Sequence, residues 1–345
     1  MTTMKVTFKP KHIASQLVSV VENERARDVL TRRYGLIDSN TIETLESVGQ
    51  SYSITRERVR QIENHAIKSI QKSERYKDLK PVFDELRGVF EQFGGVTSQH
   101  ELIKSIAKTK ADENALLFLC TVGEQFYRVK EGGDFVSHWY IDEAYAKGIR
   151  DALTGVFGSL DDSIVLPEEE IVARYKEELA KAEIAQDNAE TLLRWLSLSK
   201  KIARNPLGEW GLTTSPSVRV KGMRDFAYLT LKRHGSPMHF SEVAQQIEEL
   251  FGRKAHVATT HNELIKDPRF VLVGRGLYAL AEWGYSKGVV KDVIRELLKE
   301  LGPLTKKEII DRVKRERYVK DNTIAVNLQD SDTFTRLEDG RFELV

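Results

Sequence analysis

Four times along this chain, a short apolar stretch runs into a glycine-bearing turn and then into a second apolar stretch. The first instance runs from Gln125-Phe126-Tyr127-Arg128-Val129 through Gly132-Gly133 to Phe135-Val136. The second runs from Lys201-Ile202-Ala203 through Gly208 to Trp210-Gly211-Leu212. The third runs from Phe270-Val271-Leu272-Val273 through Gly274 and Gly276 to Leu277-Tyr278-Ala279-Leu280. The fourth runs from Phe334-Thr335-Arg336-Leu337 through Gly340 to Phe342-Glu343-Leu344. Each reads as a β-hairpin. Measured between Gly133, Gly208, Gly276 and Gly340, the spacings are 75, 68 and 64 residues. Amphipathic helical stretches precede each hairpin, such as 289–301 followed by 306–317. Helices followed by a hairpin in about 65 residues is a winged-helix plan, and the period exceeds the roughly 20–50 residues of solenoid repeats.

Ahead of this array, residues 54–70 predict one helix with two incompatible faces. At roughly 100° per residue, Val59, Ile62, Ala66 and Ile70 share one stripe. Arg56, Glu57, Arg60, Gln61 and Asn64 fall opposite, within a sector about 140° wide. Thr55 stands where an N-cap belongs. Residues 44–52 predict a shorter helix, separated from the longer one by a tight break near Ser53. This is a helix-turn-helix, whose second helix can lie in the major groove of duplex DNA. Arg matches guanine, Gln matches adenine, and Glu accepts from the cytosine amino group.

The whole segment 24–70 resembles region 4 of the primary bacterial sigma factors, the part that reads the promoter −35 element. Leu30-Thr31-Arg32-Arg33-Tyr34-Gly35-Leu36 is similar to that family's first helix and its ending. Thr44-Leu45, Val48-Gly49 and the run Thr55-Arg56-Glu57-Arg58-Val59-Arg60-Gln61-Ile62-Glu63 match the rest of the signature. The resemblance implies that Arg56, Glu57 and Gln61 read bases and that Arg58 and Arg60 meet phosphates or flanking bases. Thr44, Thr55, Asn64 and Lys68 complete the expected DNA-binding set. Ser53 departs from the glycine frequent in the family's turn; a left-handed backbone there would cost about 1 kcal/mol. In the family, domains that bind and melt the −10 element precede region 4. About twenty residues precede the match here, too few for a domain, so a complete sigma factor is not expected.

Residues 222–284 carry a second resemblance, to the HARE-HTH domain. It rests on Met223-Arg224-Asp225-Phe226-Ala227, Phe240-Ser241-Glu242-Val243-Ala244, Asp267-Pro268-Arg269-Phe270 and Gly276-Leu277-Tyr278-Ala279-Leu280. That family includes the N-terminal domain of the RNA polymerase delta subunit and shares the winged-helix fold. Not every member binds DNA, so the fold does not settle the function.

Charge separates the modules. The net charge of the chain is only +1, so basic patches must be local. Residues 303–320 hold Lys306, Lys307, Arg312, Lys314, Arg315, Arg317 and Lys320 against three acids, making the first six of interest as a secondary DNA-binding set. Residues 166–190 hold eight acids against Arg174, Lys176 and Lys181, which suits a spacer or a protein-binding surface better than DNA.

Other chemistry finds little footing. His234, His239, His256 and His261 cluster, but no Cys joins them and the spacing does not place ligands on one helix face. Gly274-Arg275-Gly276 lacks the Lys-Ser or Lys-Thr of a phosphate loop. The lone Cys120 lies among apolar neighbours and reads as a core thiol. No nucleophile-base pair or paired carboxylates stand out, so neither enzymatic activity, a metal nor a cofactor is expected. No aromatic-basic cluster suited to capturing flipped bases stands out in the winged modules, so promoter opening with core polymerase is not expected.

No apolar run approaches the roughly 20 residues of a membrane span, and the start Met1-Thr2-Thr3-Met4-Lys5 lacks a signal-peptide core, so a cytoplasmic, nucleoid-associated protein is expected. The expected fold is mainly α with small β-hairpins (α+β): an N-terminal helix-turn-helix and about four winged-helix modules. The expected divisions are 1–77, 78–143, 144–216, 217–284 and 285–345. The expected function is reading of duplex DNA, with RNA polymerase core as a further partner. The alternative is a polymerase-associated accessory or scaffold protein whose modules mainly bind protein. The sequence assigns no oligomeric state.

Overall fold

The structure, a computed structural model, describes residues 6–36, 39–285 and 289–345; the expectation drawn from Met1–Lys5 lies outside them. The chain divides into two compact units, residues 1–161 with 166–203, and residues 162–165 with 204–345.

The first unit opens with five helices: α1 (Pro10–Ser19), α2 (Glu24–Tyr34), α3 (Leu45–Tyr52), α4 (Arg56–Lys72) and α5 (Glu74–Asp78). Then follow α6 (Lys80–Gln92), β1 (Val96–Ser98), α7 (Gln99–Ile106), α8 (Lys110–Val122), β2 (Tyr127–Val129) and β3 (His138–Tyr140). The same succession, helix, strand, two helices, two strands, then recurs three times. Its second instance is α9 (Glu143–Gly158), β4 (Val165–Leu166), α10 (Glu168–Lys181), α11 (Ala189–Leu196), β5 (Ile202–Arg204) and β6 (Trp210–Leu212). The third is α12 (Met223–His234), β7 (Met238–His239), α13 (Phe240–Phe251), α14 (Val257–Lys266), β8 (Phe270–Leu272) and β9 (Leu277–Leu280). The last is α15 (Val290–Leu301), β10 (Leu304–Thr305), α16 (Lys306–Glu316), α17 (Asp321–Asn327), β11 (Phe334–Arg336) and β12 (Arg341–Leu344). The second instance falls on both sides of the division between units.

In the other three instances the strands form small antiparallel sheets of one pattern, β1-β3-β2, β7-β9-β8 and β10-β12-β11. The fold is therefore α+β, with a helix-turn-helix and winged-helix repeats, as the sequence pattern suggests. The leading strand of each repeat was not legible beforehand. It is two or three residues long and gains its hydrogen bonds only from the distant last strand. The first hairpin also differs from expectation. Its second strand is His138–Tyr140, where Trp139 and Tyr140 are buried and pair with β1, whereas Phe135 makes only isolated bridges to Gly132 and Ser199.

Helix ends follow the caps that the sequence carries. Asn23 accepts from the Ala26 amide at 2.9 Å to start α2, and Gly35, at φ +59°, ends it in the left-handed region.

One core joins the opening helices to the first repeat. Ile13 and Leu17 of α1, Ala26 and Leu30 of α2, and Ala66 and Ile70 of α4 pack with Leu86 and Phe90 of α6 and Leu116, Phe118 and Leu119 of α8. A division at residue 77 runs through this core. The reason is α8: seven of its positions, including Asn114 and Cys120, are buried, and part of that apolar surface is covered by α1, α2 and α4 from before residue 77. Burial pushes the Cys120 thiol up, consistent with an inert core residue. In the second unit, the segment after α16 meets the edge of the preceding repeat, where the Tyr318 amide donates to the Val273 carbonyl at 2.9 Å.

Candidate nucleic-acid interface

Four small residues, Thr44, Gly49, Ser53 and Thr55, shape α3, α4 and the turn between them. Thr44 caps α3 by accepting from the Ser47 amide at 3.1 Å, and Thr55 caps α4 by accepting from the Arg58 amide at 3.2 Å. Ser53 ends α3 at φ +54°, so the left-handed backbone anticipated there is present. At Gly49 a Cβ would stand 2.7 Å from the Ile54 carbonyl oxygen, whose own amide donates to the Gly49 carbonyl at 2.9 Å. Only hydrogen fits at this crossing.

With the turn fixed, α4 sorts its residues. Val59, Ala66 and Ile70 are buried and Ile62 half-buried, which is the expected apolar stripe. Val59 joins Val29 and Val48 in a small core under the two helices, while Ala66 and Ile70 enter the larger one. Thr44, Thr55, Arg56, Glu57, Arg58, Arg60, Gln61, Asn64 and Lys68 are all exposed. The exposed side chains are partly paired along the helix. Glu57 and Arg60 form two hydrogen bonds, 2.6 and 2.9 Å, and Arg58 donates to Gln61 at 3.1 Å. The Arg60 guanidinium holds the Glu57 carboxyl below its usual range. Because both partners face water, the pair is weak and readily exchanged for a nucleic-acid contact.

Residues that sequence reasoning left unassigned hold this helix in place. Glu63, on the inner edge of α4, accepts from Arg33 Nε at 3.0 Å and from the Tyr34 hydroxyl at 2.9 Å, tying α4 to the end of α2. Burial, then the Glu63 charge, pushes the Tyr34 hydroxyl up, so it stays a donor. Glu43 takes both Arg32 bonds at 2.7 and 2.8 Å and one from Ser47 at 2.8 Å; Arg32 and then Ser47 pull its carboxyl down to about 2. Asn114 of α8 donates to the carbonyls of Gly35 at 3.0 Å and Asn40 at 2.9 Å, bracing the approach to α3. The charged members of this set lie within the region-4-like segment, but their partners are distant in sequence. Asn114 carried no signal.

Elsewhere the placement is mixed. Lys306, Lys307, Arg312, Lys314 and Arg315 of α16 are exposed, and Lys314 pairs with Asp321 at 2.8 Å. Arg317 corrects the expected basic set: it is 2% exposed and donates to the Leu272 carbonyl at 3.0 Å, because the chain there turns back onto the preceding repeat. His239 and His261 both pack against the Phe240 ring, with ring centres at 4.3 and 4.1 Å, and His234 bonds to Ser236. Among the described residues no cluster of His, Cys, Asp or Glu is arranged to hold a metal ion. No helix among them is long and apolar enough to cross a membrane.

A capped helix-turn-helix whose second helix has a sealed apolar back and a cationic polar front is thus in place. Residues 23–72 match the family described as sigma-70, region 4. Residues 222–283 match the HARE-HTH family, a helix-turn-helix domain named in part for ASXL and restriction endonucleases. The chain is 44% identical over 61 residues to the RNA polymerase sigma factor RpoD of Helicobacter pylori strain ATCC 700392 / 26695, covering 17% of this chain and 9% of that protein. It is 48% identical over 56 residues to sigma factor SigA of Nostoc sp. strain PCC 7120, covering 16% of this chain and 14% of that protein. The same identity and length hold for SigA of Synechocystis sp. strain PCC 6803, at 16% and 13% coverage. The chain thus spans about a tenth of the length of these relatives. The two matches, one to a sigma-factor region and one to a helix-turn-helix domain, support a DNA-binding, transcription-associated protein.

Proposed function

We propose that this chain reads duplex DNA through the exposed face of α4 and acts beside RNA polymerase on a −35-like element. The observation that carries the reading is the division of α4. Its apolar stripe is spent on the chain's own core, including α8 from outside the sigma-like segment, so the surface left free is the polar one. Arg56, Glu57 and Gln61 contact base edges; Arg58, Arg60 and Lys68 contact phosphates or flanking bases; Asn64 lies on the same face. Thr44 and Thr55 place the amide-rich starts of α3 and α4 at the backbone. The exposed cations of α16 supply a secondary phosphate contact, and the protein resides on the nucleoid.

For the winged repeats a second reading has support. The third helix of each is uncharged overall or acidic: α8 and α17 carry an excess of acids, and α11 and α14 are balanced. The first of them, α8, is also largely buried. Such helices lack the cations that draw a protein onto phosphates, which favours adaptor roles toward protein for these modules.

The test is selection of bound sequences from random duplex DNA by the full chain without polymerase. A discrete enriched motif, with affinity falling as salt rises, is expected. No enrichment, together with tight binding to core polymerase, would overturn the DNA-reading proposal in favour of the adaptor reading for the whole chain.

A further inference from the structure

The start of α1 and the loop from α7 into α8 together line a hollow of about 930 Å³. Its rim is cationic: Lys9, Lys11, His12 and Lys108 all line it and all are exposed. Lys9, Lys11 and Lys108 form no ion pair with a described residue, whereas neighbouring Lys110 is taken by Glu113 at 2.8 Å. The acid in the lining is Asp112, whose carboxylate accepts the Thr109 hydroxyl at 2.8 Å. Glu85 lies close by but is engaged by Thr7, accepting its amide at 2.6 Å and its hydroxyl at 2.7 Å. The floor is apolar, with Phe8 half-buried and Pro10 and Ile106 buried. Lys11 and Lys108 come from distant parts of the chain and meet because α1 packs on α8, where Ile13 and Leu17 share a core with Leu116 and Leu119. Cations gathered round a concavity with apolar walls focus positive potential into it.

We propose that this hollow binds a small molecule of the nucleoside polyphosphate class. Its volume falls within the roughly 300–1,000 Å³ of small-molecule sites. Lys ammonium groups on flexible stems act as point charges and can follow a chain of phosphates without the fixed fork of Arg. The apolar floor takes the ring of the ligand, whose burial there adds to the charge attraction. A bare anion would leave the floor unfilled, and an apolar ligand would leave the cations unanswered, so the lining selects a molecule with both parts. The site exists only while α1 packs on α8, and the same core holds Ala66 and Ile70 of α4. A bound ligand therefore stabilises the body that carries α4, by linkage. The binding itself does not depend on α4 reading DNA.

The test is isothermal titration of the full chain with ATP in metal-free buffer, with adenosine and inorganic triphosphate as its two halves. ATP should bind at a single site, more tightly than either half, and more weakly as salt rises. Lys11→Ala and Lys108→Ala should each weaken binding about three- to tenfold. Asp112→Asn should tighten it about threefold by removing the opposing charge. Lys254→Ala, in the other unit, should leave it unchanged. With ATP at about a hundred times its Kd, the slowest amides of α4 and α8 should exchange about a hundredfold more slowly. ATP binding of this kind without any enriched duplex motif would remove the DNA reading of α4 and leave this site standing. No saturable binding, binding of triphosphate as tight as that of ATP, or undiminished binding in both Lys11→Ala and Lys108→Ala would overturn the proposal. So would a loss of duplex affinity in Lys108→Ala as large as its loss of ATP affinity, which would give these cations to the DNA backbone.

Discussion

Replacing Phe118 with Ala tests whether the sigma-like segment folds by itself. Phe118 is in α8, outside residues 23–72, and is fully buried. Its ring meets the Tyr34 ring edge-on at 5.2 Å, and it shares one core with Ala66 and Ile70 of α4. Truncating a buried Phe to Ala costs about 3–5 kcal/mol in lost transfer energy and cavity formation. If α1 to α8 unfold as one body, that loss is felt equally on α4, although the substitution touches no DNA-facing residue. Native-state hydrogen exchange reads this directly. The slowest amides of α4, near Ile62 to Ile70, exchange by opening of the whole body. A loss of about 3 kcal/mol should therefore accelerate them about 150-fold, since each 1.4 kcal/mol is tenfold. Amides of α7 and α8 should accelerate by the same factor. Faster exchange in α7 and α8 with α4 unchanged would show two separate bodies and refute the shared core.

Arg56→Ala and Gln61→Ala should each weaken binding to the selected duplex by about 1–3 kcal/mol, and random duplex far less, in a gel-shift titration; equal losses on both would remove base reading from these residues. Ser53→Gly should raise stability to urea by up to about 1 kcal/mol by relieving the left-handed backbone, whereas a fall in the midpoint would contradict it. Gly49→Ala should lower that midpoint, because its new methyl would meet the Ile54 carbonyl oxygen at 2.7 Å; no change would show that the turn yields freely. Glu43 has a folded-state value of about 2, below the ordinary carboxylate value near 4.3, so its contribution is present above that ordinary value and is lost as pH falls through about 2. Glu43→Gln should therefore be less stable than the natural protein at pH 7, with the difference vanishing by about pH 2; a pH-independent difference would deny the linkage.

The sequence by itself determined the local features. The stripe of α4, the caps at Thr44 and Thr55, the break at Ser53 and the glycine turns of the later hairpins depend on residues within a few positions of one another. Their physics, helical periodicity, capping and left-handed backbone, is short-range and therefore legible in order along the chain. It also exposed the cationic front of α4, since a helix with one apolar stripe must turn the remainder to water.

What only the tertiary structure decided rests on contacts between distant residues. Nothing in Lys110–Val122 says that this helix will seal the back of α4, because an apolar helix is indifferent to which apolar surface covers it. The leading strands, two or three residues long, have no pattern of their own and exist only as partners of a later strand. Arg317 looks like its basic neighbours in sequence, yet the return of the chain onto the preceding repeat buries it against the Leu272 carbonyl. Tyr127 likewise stacks on Tyr140 through cross-strand register, and Arg150 and Glu143 reach Tyr140 from the following helix. Hydrophobic burial is non-directional and hydrogen-bond pairing across a sheet is set by register, so neither is written in the order of residues until the fold brings the partners together.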